Sequence, residues 1–192
     1  MSEIFFLMLG AILTENFIFA KFYGICPFIG VSEKPDTALG MGMAVTFVMT
    51  ISSAITWGIY HLLLVPFELE YLTTIAFILI IATLVQFIEM FLRKFVPALY
   101  SALGIYLPLI TTNCAVLSSA LINIQNGYNF IESVCFGFAA AIGFTLAIVV
   151  FAGVRMRMTA ANPPRAFKGF PITLIAAGLL AMAFSGFTSI SL

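Results

Sequence analysis

An all-α integral membrane protein is what this sequence predicts, on three observations. Of its 192 residues, 62 % are hydrophobic and only 8 % are charged, and the mean hydropathy is +1.16. A soluble domain carries roughly a quarter of its residues as charges. The apolar residues also fall into six stretches, each long enough for the ~20 residues that cross a ~30 Å hydrocarbon core as a helix. Finally, all eight basic residues fall in or around alternate joints between those stretches, the asymmetry expected of a multi-pass chain. Helices follow rather than an open sheet, because hydrocarbon offers no partner to an unpaired backbone amide. The net charge is zero, so nothing favours nucleic acid or a polybasic tail on a lipid surface.

The first stretch, Ile4–Val31, starts in MSEIFFLMLG, which lacks the basic leader of a signal peptide and reads as a retained span. As one straight helix it would run roughly 42 Å, too long for the core. Its second half holds Gly24, Pro27 and Gly30, and a proline inside a helix removes a backbone bond. A broken helix is predicted. Ala38–Leu64 and Tyr71–Leu92 follow as ordinary spans, bounded by Pro35-Asp36, Pro66 and Pro97. The fourth, Ala98–Ile124, contains Gly104 and Pro108 and is predicted to be broken as well. Phe130–Val154 and Phe170–Ile190 complete the set, after the turn signals Asn126-Gly127 and Asn162-Pro163-Pro164.

Lys21 and Lys34 flank the first joint, Arg93 and Lys94 the third, and Arg155, Arg157, Arg165 and Lys168 the fifth. The odd joints are therefore expected in the cytoplasm, with both termini outside. Three spans per half make residues 1–95 and 96–192 two repeats that enter the bilayer in opposite senses. LTTIAFILIIA from Leu72 echoes PITLIAAGLLA from Pro171. Paired interrupted segments in inverted repeats mark a functional site near the midplane.

That site is expected at the two breaks, FYGICPFIGVS (22–32) and LPLITTNCAVLSS (107–119), which carry Cys26 and Cys114 at matching places. A lone membrane cysteine is ordinarily packing. Two in matching breaks suit a soft-metal site, and iron–sulfur clusters are commonly held by four thiolates. This chain offers two, so a full cage needs two from a neighbouring chain. Amides freed near Gly24 and Asn113 would donate to the sulfurs. Cys135, inside a regular stretch, reads as packing. No CxxC pair is present, which weighs against a thiol–disulfide enzyme. Glu15 and Asn16, with Thr14 beside them, form a candidate ion path, since hard cations prefer oxygen. Glu89 sits four residues before Arg93, the spacing of a helical ion pair. His61, near a segment end, reads as interfacial.

FAKFYGICPFIGVS, GMGMAVTFVMT from Gly40, QFIEMFLRK from Gln86, LGIYLPLITTNCAVL from Leu103 and the late joint NPPRAFKG together resemble the A subunits of Rnf complexes. The resemblance covers essentially the whole chain. The E component of the sodium-pumping NADH:quinone oxidoreductase shares the cysteine motifs but is less similar. The resemblance implies a six-span protein of a prokaryotic cell membrane. It is expected to assemble with Rnf subunits B, C, D, E and G, most directly with a homologous E component of opposite orientation. It further implies that Cys26 and Cys114 join two partner cysteines around one [2Fe–2S] cluster within the membrane. The implied role is electron relay in a translocase that couples ferredoxin–NAD electron transfer to movement of sodium ions or protons. Flavin and NAD sites are expected on other components. The competing reading of the residues alone is a small inverted-repeat transporter with no redox centre.

Overall fold

The computed structural model describes residues 2–67, 70–95, 107–160, 164 and 167–188, and every regular element among them is helical. In chain order these are α1 (Ser2–Ile12), α2 (Ile25–Val31), α3 (Pro35–Ile59, running on through a π turn, Tyr60–Leu64) and a short 3-10 turn (Glu70–Leu72). Then come α4 (Thr73–Phe95), α5 (Leu107–Thr111), α6 (Cys114–Gln125), α7 (Phe130–Ala160) and α8 (Phe170–Thr188). Pro35–Leu64, Thr73–Phe91 and Phe130–Met158 are long and apolar enough to cross a membrane, while Leu109–Gln125 and Phe170–Gly186 are shorter apolar helices. The second, third and fifth predicted stretches are thus single helices, and the sixth is a shorter one. Pro97, Gly104 and Asn162-Pro163 lie outside the described residues.

The centre of the molecule is α7, packed most extensively on α3. Ala139, Ala140, Ala141, Phe144, Ala147, Ile148, Phe151 and Ala152 are all buried. The other side of α7, with Phe138, Leu146 and Val150, is exposed. Between helices in lipid the gain comes from close packing, since lipid tails are as apolar as leucine. Two glycines permit that approach: the space of a Cβ at Gly42 is taken by Thr145, and at Gly137 by Ser53. Residue 42 faces 145 while 53 faces 137, so α3 and α7 run antiparallel. Three threonines along the seam satisfy their hydroxyls locally. Thr46, Thr50 and Thr56 of α3 donate to the carbonyls of Gly42 (2.8 Å), Thr46 (2.7 Å) and Ser52 (2.6 Å), each one turn back.

The helix ends are set by identifiable chemistry. Pro35 occupies the first turn of α3, where its missing N–H costs nothing. Before α7, the Glu132 carboxylate accepts from the Asn129 amide at 3.0 Å, the reciprocal half of a capping box. At the far end of α3, Trp57 donates its indole N–H to Tyr128 O (2.9 Å) and stacks on His61 (4.2 Å). Phe130 packs edge-on to Trp57, giving the aromatic cluster typical of a membrane–water boundary. Large apolar side chains point outward from α4 and α8, among them Leu79, Phe87, Leu179 and Met182, as lipid-facing helices require.

The first stretch is interrupted as expected, with Gly24 at the break, but Pro27 and Gly30 do not make it. α1 stops at Ile12 and α2 starts at Ile25, with irregular backbone between. Pro27 and Gly30 lie inside α2. Pro27 is in its first turn, where no intrahelical donor is required, so the ring neither breaks the helix nor makes the bend. Pro108 likewise lies in the first turn of α5. The second interruption falls after it, at Thr112–Asn113.

Candidate functional site

The two cysteines stand at the starts of the two re-started helices. Cys26 is the second residue of α2, and Cys114 is the first of α6. Gly24, which caps α2, has a left-handed backbone (φ 79°, ψ 28°), a conformation glycine adopts without penalty. Phe22, two residues earlier, also has positive φ (58°), which is unusual for a bulky side chain. Asn113 caps α6 by accepting from the Ala115 amide at 3.0 Å.

These two caps touch. A Cβ at Gly24 would lie 3.2 Å from Asn113 Oδ1, 3.3 Å from the Ala115 side chain and 2.8 Å from Phe144 Cε2. The residue two before Cys26 therefore abuts the residues on either side of Cys114, and the breaks of the two halves meet. Both cysteines are exposed. Asn113 is only 4 % exposed, yet its Nδ2 has no hydrogen-bond partner, and a buried unpaired donor is costly in a native protein.

A metal–sulfur group fits one half of this arrangement. It needs thiolates free to reach outward and donors near the sulfurs, and the two thiols and the orphan amide supply both. No group of three or more His, Cys, Asp or Glu that could hold a metal occurs among the described residues. Cys135, part-buried in the regular α7, has no such setting.

The other expected residues have defined places. Asn16 is the hinge of the first break. Its Nδ2 donates to Gly143 O (2.9 Å) and Ile12 O (3.2 Å), and its Oδ1 accepts from Ile18 N (3.0 Å) and Phe19 N (3.4 Å). Glu15 is exposed and pairs with Lys21 at 2.9 Å, across the same break. Thr14 donates to Gly10 O. His61 stacks on Trp57 at the aromatic cluster. One residue entered the sequence reading only as a charge: Arg155 of α7 donates to Ile29 O at 2.7 Å and Ser32 Oγ at 3.0 Å and pairs with Glu33 at 3.1 Å. Its spacing of eleven from Phe144 puts both on one helix face. That signal has meaning only once α2 is known to lie there.

The sequence pattern of a family described as Rnf-Nqr subunit, membrane protein, matches residues 4–191. The A component of the ion-translocating oxidoreductase complex of Syntrophotalea carbinolica is 58 % identical over 190 residues, 99 % of this chain and 98 % of that one. The A component of the Na(+)-translocating ferredoxin:NAD(+) oxidoreductase complex of Acetobacterium woodii is 59 % identical over 187 residues, 97 % of each chain. The A component of an ion-translocating oxidoreductase complex from Azoarcus is 55 % identical over 191 residues, 100 % of this chain and 99 % of that one.

Proposed function

This chain belongs to the Rnf-Nqr family of membrane subunits, and from that premise we propose that it is the electron-relaying A component of an ion-translocating ferredoxin:NAD oxidoreductase. In this reading Cys26 and Cys114 supply two thiolates to a [2Fe–2S] cluster. A homologous chain of opposite orientation supplies the other two. Such a cluster contributes a one-electron redox centre in the middle of an insulating layer.

The observation that carries the proposal is the contact of Gly24 with Asn113 and Ala115, which supports reading two cysteines 88 positions apart in the chain as parts of one site. The chain's own residues then have separable tasks. Gly24 lets the first break approach the second. The two helix starts turn their thiols outward, toward the partner. Asn113 holds α6 with Oδ1 and keeps Nδ2 as a donor for a sulfur. Phe144 and the apolar residues around it exclude water.

The proposal extends to architecture: six spans in two inverted repeats, 1–95 and 96–192, in a prokaryotic cell membrane. Odd joints face the cytoplasm, and the neighbours are Rnf subunits B, C, D, E and G. Glu15 and Asn16 belong to the ion path only if their hydrogen bonds exchange during turnover, since Asn16 is already fully engaged. Purified complexes carrying Cys26→Ser or Cys114→Ser are expected to lose the cluster's spin-resonance signal and about two irons, together with ferredoxin-dependent NAD reduction. Cys135→Ser should keep all three. Full activity in both first variants would favour a transporter without a redox centre.

A further inference from the structure

We propose that Arg155 is a positioning residue for Cys26, acting through α2; the proposal rests on the cluster reading above. α2 has seven residues, too few to hold helical shape in isolation, so its placement must come from its surroundings. Phe19 packs edge-on to Phe28 and Thr37 donates to Val31 O at 3.4 Å, and one face of α7 supplies contacts along the whole helix. Phe144 closes on Gly24 at the start of α2. Phe151 stacks on Phe28 in the middle, with ring centroids 4.3 Å apart and planes at 23°. Arg155 holds the end, donating to Ile29 O and Ser32 Oγ and pairing with Glu33. Positions 144, 148, 151 and 155 recur every three or four residues, so the stripe is continuous along α7, with Ile148 fully buried within it.

The last carbonyls of a helix have no partner within it, and a cation there also meets the negative end of the peptide dipoles. The Arg155 side chain is 19 % exposed, so these bonds are largely shielded from competing water. Held at both ends, α2 cannot slide or turn without losing a contact. Cys26, the second residue of α2, is carried with it. Arg155 thus acts on the thiol from the opposite end of the half-helix.

The test is thiol labelling by a maleimide in membranes holding the intact complex, after treatment with an iron chelator. Arg155→Met is expected to change the Cys26 labelling rate by about tenfold, the factor for losing a hydrogen bond to a charged group. Cys114 and Cys135 should stay within about twofold in the same variant, because α6 and the body of α7 keep their own contacts. Ser32→Ala should shift Cys26 in the same direction by a smaller factor. Arg155→Lys should fall between parent and Arg155→Met, since it keeps the charge and loses the fork. Arg157→Met, an exposed neighbour, should change nothing. An unchanged Cys26 rate in Arg155→Met and Ser32→Ala overturns the proposal, as does a common change at all three cysteines. Where Arg155→Met does not accumulate, Ser32→Ala and Arg155→Lys decide by the same criteria. Absence of iron in the parent complex would count against the cluster reading alone, because labelling is measured without the metal.

Discussion

Gly24 is the residue least able to change. Its left-handed backbone and the side chains of Phe144, Asn113 and Ala115 leave neither conformation nor space for a Cβ. Gly24→Ala is expected to cost about 1–3 kcal/mol, read as a lower midpoint of thermal unfolding in detergent. Gly40, with nothing within 4 Å of a Cβ, should accept the same change without loss. Asn113 separates into two roles that one substitution can divide. Asn113→Asp keeps the oxygen that caps α6 and replaces the unpaired Nδ2 with an acceptor. The cluster should still form, with a lower midpoint potential, because a donor is lost and a negative charge is brought near the sulfurs. A potential equal to the parent's in redox titration would remove Asn113 from the site.

At the scale of elements, the α3–α7 pair determines whether the site exists, since α7 places both α2 and the first break. Gly137→Leu would force the helices apart against Ser53 and the Met49 carbonyl. Overpacking of this kind costs about 1–3 kcal/mol and should appear as reduced assembly of the complex in native gels. The three long helices were legible in the sequence because apolar runs bounded by Pro, Asn and Gly report length directly. The location of the first break was not. Pro27 looked like the breaker, yet a proline in a first turn is compatible with a helix, and the true hinge is Asn16, whose four hydrogen bonds join residues as distant as Gly143. A polar side chain saturated by long-range contacts looks, in sequence alone, like a ligand waiting for an ion.

Across the whole molecule, the joints sort into two sides. Arg155 of the fifth joint pairs with Glu33 of the first, while Trp57, before the second joint, bonds to Tyr128 at the fourth. Among the described residues, the first and fifth joints therefore share one end of the bundle, and the second and fourth share another contact. Reporter fusions should find residues 32–34 and 155–168 on the cytoplasmic side and residues 66–70 and 126–129 outside; the reverse pattern would contradict the proposed orientation. Two interrupted segments carrying Cys26 and Cys114 near re-started helices were legible in the sequence, whereas Arg155 was hidden, because a charge count cannot say which carbonyl a guanidinium will find. The most direct test of the central claim is an experimental density map of the intact complex with iron located by its anomalous scattering. The account predicts iron bonded to both Cys26 and Cys114 sulfurs at the face shared with the homologous chain. Iron bound elsewhere, or two sulfurs too far apart to share one cluster, would contradict it.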